Sequence, residues 1–459
     1  MTDATAFAHH FRPAAPERPD DWLPVWRIFV DKEAQNPLNG WPTLAFETHH
    51  KARRVFNLNY HFISDPAAIQ QVLLDKMGRY QKPALVNKML SVALGEGLLT
   101  TNGEDWREQR RMMAPVFTPG MVTEFTPTFA RIAEQTADRW ATGDSDVIDV
   151  AAESLRTTFD IINATLFSSA AGFTVQEASG HMAAVMQAMT QYRLGPIFGM
   201  PWLDQNPVQW RGAAGRRFII GKLADFIARR QADPNPPQDF MTRVIDAFSQ
   251  THPPKEAAKL ALDNAVTFLG AGHETTANAL TWALYLLSRD RQAQAWAGEE
   301  ARAAWDAGGT PEEILARLPY LKMVWDETLR LYPPALRIDR EAMADDELCG
   351  HAIRKGDQIS IWPWIVHRHR RLWDDPDIFN PENFDPEAKA VHHRFQYIPF
   401  GAGPRVCIGA AFAQAEGLLV LSHWLARFRF RPVAGHTVEP TGDIAIRPKG
   451  GLPLIVERV

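Results

Sequence analysis

The sequence predicts a mainly α-helical protein with small β-sheets, and three observations carry that reading. Apolar residues recur at helical spacing over most of the stretch from about 104 to 300. Its longest segment, roughly 256 to 288, is EAAKLALDNAVTFLGAGHETTANALTWALYLLS, apolar on more than one face, as a helix crossing a protein interior must be. Strand-like runs with turn residues stand before and after that region, so small sheets accompany a helical body.

Taken in chain order, residues 1–40, with RPAAPERP, read as an irregular N-terminal arm, and 41–459 as a single domain. RRVFNLNYHFISDP has the composition of a short hairpin, and AAIQQVLLD continues in a helical pattern. HAIRKGDQISIWPWI is expected to form a hairpin turning at Lys355, Gly356 and Asp357, and the tail DIAIRPKGGLPLIVERV another. A last helix, from about 408 to 424, carries Ile408, Ala411, Phe412, Ala415 and Leu419 at helical spacing. No repeat or low-complexity linker interrupts the chain.

Charged residues make up 22% and hydrophobic ones 46%, which is ordinary globular usage. A formal charge of -5 argues against nucleic acid as a partner, because phosphate binding rests on clustered excess Lys and Arg. The first thirty residues hold neither a long apolar run nor a signal pattern, so a cytoplasmic protein with no membrane anchor is expected. Cys349 and Cys407 are the only cysteines, and without CxxC or CxxCH they argue against structural zinc, thioredoxin chemistry and covalently attached haem.

Cys407 stands in FGAGPRVCIG, at the mouth of the last helix, where amide donors and the helix dipole favour a thiolate. Glycines 401, 403 and 409 carry no Cβ and let a flat object approach the backbone, while Arg405 offers a fork for a carboxylate. A structural thiol is the ordinary alternative. The spacing FxxGxRxCxG, here Phe400, Gly403, Arg405, Cys407 and Gly409, is the haem-binding signature of the cytochrome P450 family, and the chain resembles that family from about residue 40 to its end.

Further stretches test the resemblance independently. AGHETT, residues 271 to 276, is similar to the family's oxygen-activation motif within the long interior helix, which the resemblance carries over the haem. Gly270 and Gly272 cost a helix roughly 1 kcal/mol each, so something flat is expected to pass Ala271 and Gly272 closely. Glu274 and Thr275 supply an acid and a hydroxyl where the helix can open. HETTA lacks the second histidine of a zinc HExxH, and GAGPRV lacks the third glycine of a dinucleotide loop. ETLR matches the family's ExxR, a buried framework pair of Glu327 and Arg330, but PENF stands where the family often has PERF. Asn383 therefore supplies no third charge, and Arg394 or a histidine is left as a replacement.

The resemblance implies haem b (iron protoporphyrin IX) with Cys407 as axial ligand. Trp106 and Arg110 of WREQR, Arg340 and Arg405 would hold its propionates, with Phe400 and Ala271 beside it. Glu274 would relay protons and Thr275 would hold oxygen or a water. The implied reaction inserts one atom of O2 into an apolar small molecule, by hydroxylation or epoxidation. Electrons would come from a separate ferredoxin or flavodoxin-like donor with its reductase, because the chain ends soon after its last helix and strands. Leu99 of GLLT and Ala335 of PPAL are candidate substrate contacts, and Met186, Met189, Tyr192 and Phe198 candidate parts of an access lid; Arg193 is a candidate partner for a substrate carboxylate. Ordinary core and solvated arginine are the bland alternatives. A haem-thiolate peroxygenase or isomerase would use the same Cys407 without the proton relay, so the Glu274-Thr275 pair favours O2 activation over it; a non-catalytic haem sensor is disfavoured only by analogy with the family.

Overall fold

The computed structural model describes residues 11–24, 27, 31, 33–55, 57–190, 206–442 and 445–459. Helices that matter for the site are α1 (Ala84–Leu94), α2 (Gly103–Met113), α3 (Val150–Phe167), α4 (Val175–Thr190), α5 (Pro207–Ala232), α6 (Pro254–Arg289), α7 (Pro319–Leu331) and α8 (Ala410–Arg427). The interior helix of the sequence reading is α6, opened by Pro254 at its first position, and every residue from Thr276 to Ser288 is buried. Its 36 residues run about 54 Å, so one helix crosses the whole body. The last helix, α8, begins after Gly409 and buries Phe412 and Leu419, leaving Ile408 in the loop before it.

β1 (His50–Val55) and β2 (Leu58–Ile63) form the first expected hairpin, and a helical turn, Pro66–Gln70, passes into a wider π-turn, Gln71–Asp75. The other two expected hairpins do not form. β7 (His351–Ile353) pairs with β6 (Asp346–Leu348), whereas β8 (Gln358–Ile361) lies parallel to β2 and antiparallel to β5 (Ile338–Ala342). The turn at Lys355–Gly356 exists, with Gly356 at φ +93, but it joins two sheets rather than two partners. β8 is buried at all four positions and so needs neighbours on both sides, which a two-strand hairpin cannot supply. In the tail, β11 (Ile446–Pro448) pairs with β10 (Pro440–Gly442), while β12 (Pro453–Arg458) pairs with β4 (Val147–Asp149) and β9 (Phe428–Pro432). The five-stranded sheet has the order β1-β2-β8-β5-β3, with β3 at Tyr80–Gln81.

The described part of the N-terminal arm is largely irregular yet docked. Tyr332 donates its hydroxyl to the Ala14 carbonyl at 2.7 Å, Arg18 reaches Asp377 at 2.5 Å, and Leu38 is 2% exposed.

Candidate active site

Cys407 sits in a loop closed on itself, its N–H donating to the Phe400 carbonyl at 2.9 Å. Gly401 and Gly403 hold φ values of +70 and +69, open to glycine at little cost. A Cβ on Gly403 would also collide with the Leu73 carbonyl of the π-turn. Backbone shape thus requires both glycines and packing requires Gly403 as well, whereas a Cβ on Gly409 would make only an ordinary contact with Phe117 at 3.9 Å. The thiol is accessible although protein crowds it on every side, as expected of a group on an interior wall. Burial pushes its pKa up, while the Gly409 amide and the Arg110 charge oppose the rise. The helix mouth therefore does not by itself hold a thiolate, contrary to the sequence expectation; a bound metal ion would.

Three cations gather with no carboxylate bonded to them among the described residues, and the nearby Asp339 charge offsets the burial of Arg340 only in part. Arg340 is 6% exposed, bonds only to its neighbour's carbonyl on Asp339 at 2.8 Å, and is pulled down to about 10 by burial. Arg405 is lowered to about 10 by burial and by Arg340; it donates to the Thr101 carbonyl and to Asn102 Oδ1, at 2.9 Å. Lys82, which the sequence reading missed, donates to the Leu99 carbonyl and lies well below its usual range through burial and through Arg405 and Arg340. Nothing in FISDP…YQKP marks Lys82 in sequence; only folding brings it to the arginines. Three mutually repelling cations with no carboxylate bonded to them fit a ligand carrying two carboxylates, the propionates of haem. Trp106 lies beneath the group, its ring 4.2 Å from the Arg405 guanidinium carbon. Arg110, on the same helix α2, feels Cys407 instead.

Across from the cysteine loop, α6 stays α-helical through the AGHETT stretch and does not open there. Ala271 is the only exposed residue of α6 between Leu260 and Ser288. Thr275 donates its hydroxyl to the Ala271 carbonyl at 2.9 Å, the back-bond expected of it. Both glycines are needed for packing: a Cβ on Gly272 would lie 2.9 Å from Ile162 Cδ1 of α3, and one on Gly270 3.3 Å from Met182 Cε of α4. His273 turns away into the core, its ring edge-on to Phe159. Glu274 is half-buried beside Thr275. Glu416 of α8, also missed, is wholly buried; desolvation pushes its carboxyl well above the usual range, and the Thr276 hydroxyl opposes this only weakly.

The segment ahead of α2 is clamped to α6. Leu98 N–H donates to Asn264 Oδ1 at 2.9 Å, and Asn264 Nδ2 to Gln109 Oε1 at 3.0 Å. Leu99 is thereby held 39% exposed beside α6. Ala335 is exposed too, tied by a single bridge to Ala445. Met189 is buried and Met186 half-buried against the core. Tyr192, Arg193 and Phe198 lie outside the described residues.

Glu327 and Arg330 of α7 form a wholly buried pair. Among the described residues no cation replaces the missing arginine: Asn383 Nδ2 reaches both Glu327 oxygens at 3.4 and 3.3 Å, and Asn380 N–H reaches Oε1 at 2.8 Å. Arg394 is turned onto Phe395, and His367 instead accepts the Ile398 N–H at 2.8 Å.

Comparison with known proteins agrees with this geometry. The family model described as Cytochrome P450 matches residues 19–453. Cyclooctatin synthase of Streptomyces melanosporofaciens is 30% identical over 85% of this chain and 85% of its own length. Cytokinin hydroxylase of Arabidopsis thaliana is 28% identical over 86% of this chain and 78% of its own. The crystal structure of cytochrome P450DA heme domain superposes with a TM-score of 0.81 at 22% identity, covering 98% of this chain and 99% of that one, a likeness of fold.

Proposed function

Because the chain belongs to the cytochrome P450 family and is a haem-iron monooxygenase acting on a small molecule with electrons from a redox partner, we propose that it hydroxylates or epoxidises an apolar compound with Cys407 as the axial ligand of haem b. The supporting observation is the cluster of Arg340, Arg405 and Lys82, three cations with no bonded carboxylate among the described residues, near an accessible, crowded thiol. Arg340, Arg405 and Lys82, with Trp106 and Arg110, would hold the propionates, and Phe400 shapes the cysteine loop. Thiolate-ligated haem supplies activation of O2, a general property of this family rather than one read from this chain.

The chain's own residues supply position and proton control. Thr275 spends its one hydroxyl proton on the Ala271 carbonyl, so its lone pairs remain to accept a hydrogen bond from a donor beside Ala271. In that role it steadies a water at a fixed point, and Glu274, one residue before it, exchanges protons with solvent. Leu99 and Ala335 present apolar surface to substrate. The electron donor is a separate ferredoxin or flavodoxin-like protein with its reductase, docking near the exposed Arg107 and Arg111 of α2. No helix among the described residues is long and apolar enough to cross a membrane.

Replacing Cys407 by Ser tests the assignment. The reduced protein should lose its long-wavelength carbon monoxide band together with oxygen insertion. An unchanged band would overturn it.

A further inference from the structure

Helices α4 and α5 meet backbone to backbone. A Cβ on Gly212 would collide with that of Ala188, and one on Gly215 would lie 2.7 Å from the His181 carbonyl oxygen. This contact fixes the rotation of α5 and hence the direction of the next side chain, Arg216. Its half-buried side chain borders a narrow apolar gap lined by Leu94, Met182, Val185, Ile219 and Val266, with an empty volume of about 190 Å³ but no room for an ordered water. Arg216 Nε is buried there and donates to nothing, and no carboxylate among the described residues pairs with the side chain. Such a donor is costly to leave unmet, and a water cannot meet it.

The gap adjoins the candidate site. Val266 lies five residues before the exposed Ala271 on α6, roughly 7.5 Å along the helix axis. Met182, which also lines the gap, packs over Gly270. We propose that Arg216 is a specificity-determining residue that binds the carboxylate of an otherwise apolar substrate. The substrate's chain lies along Leu94 and Val266 and presents a carbon remote from the carboxylate towards Ala271 and Thr275. Nε and a terminal N–H form the side-on fork that matches a planar carboxylate, which makes an acid a better occupant than an alcohol or ester. The gap widens on binding by movement of the flexible Met182 side chain.

This inference rests on the monooxygenase reading and can fail separately from it. Haem-loaded protein is titrated with octanoic, dodecanoic and hexadecanoic acids and with their methyl esters, and the shift of the haem absorption band is read. The parent should bind its best acid about tenfold or more tightly than the matching ester. Arg216→Met, which keeps the apolar stem, should bring that ratio to about one, and Arg216→Lys should retain part of it. A parent ratio near one, no acid-induced shift in the parent, or an undiminished ratio in Arg216→Met overturns the proposal. A normal carbon monoxide band in the same samples shows that the haem-thiolate reading stands regardless. Should Arg216→Met fail to load haem, the Arg216→Lys ratio decides: equality with the parent in both ratio and affinity counts against a fork.

Discussion

Glu327 meets Arg330 through two 2.6 Å hydrogen bonds, Nε to Oε2 and Nη2 to Oε1, with neither side chain exposed. Arg330 also donates to the carbonyls of His367, Pro376 and Ile378, so the pair ties α7 to the segment leading to the cysteine loop. Glu327→Gln leaves the guanidinium buried and uncompensated, an expected loss of about 3–5 kcal/mol. Asn383→Ala removes only two long hydrogen bonds and should cost about 1 kcal/mol. Urea unfolding of the haem-loaded variants measures both; equal losses would mean that Asn383 carries more of this network than its distances indicate.

Arg340→Met separates haem holding from ordinary stability. In the apoprotein Arg340 is a buried cation repelled by Arg405, so its removal should leave the unfolding midpoint unchanged or raised. In the loaded protein it should speed haem loss to a scavenger by about tenfold, because a charge-assisted bond to a carboxylate is gone. Unchanged haem loss would remove Arg340 from the cofactor site.

Thr275→Ala should leave haem binding intact, since the hydroxyl's only described partner is a carbonyl of its own helix. Product formed per reductant consumed should fall, on the order of tenfold, with peroxide appearing instead. An unaltered yield with the native donor would make Thr275 structural.

Arg107 and Arg111 are exposed on α2, and among the described residues the only ion pair of Arg107 is a surface one with Glu104 at 2.9 Å. Such a pair contributes little, so both charges remain free to attract an acidic donor. Replacing both by Glu should preserve the carbon monoxide spectrum, slow reduction by the cognate donor by about tenfold to a hundredfold at low salt, and flatten its salt dependence. Equal reduction rates for variant and parent across low and moderate salt would sink the docking role.

Acid should unfold this protein early. Burial lowers His367 to about 3, helped by Arg330 and Arg368, and lowers His369 and His423 to about 4. Each is depressed below its unfolded value, so the folded state binds fewer protons and stability, full above about pH 6.5, is lost as pH falls towards about 4. His367 also accepts the Ile398 N–H, a bond that protonation destroys. Urea midpoints between about pH 6.5 and about pH 4.5 should fall steeply, and His367→Gln should flatten the slope. A variant with the parent's full slope would exclude His367 as a source.

Much of the helical frame and the family's signature motifs was legible in sequence because these signals are local. The cysteine loop is a run of residues within ten positions, and ExxR and AGHETT each lie within two helical turns, so their spacing alone puts side chains together. The course of α6 followed likewise from apolar residues on more than one face. Strand partners did not: β7 and β8 adjoin in sequence and belong to different sheets, because β8 is buried on both faces and takes β2 and β5. The roles of Gly270 and Gly272 depended on Met182 and Ile162, which no local pattern joins to them.

By itself, then, the sequence determined the helical class, the course of α6 and the family signature around Cys407. Only tertiary structure decided that Lys82 completes the cation cluster, that Asn383 and Asn380 serve Glu327 in place of a third charge, and that Cys407 is held above its usual pKa. The physical reason is one of range. Backbone periodicity and capping act over a few residues, whereas desolvation and Coulomb repulsion depend on which distant segments share a volume, and that is settled only when the chain has packed.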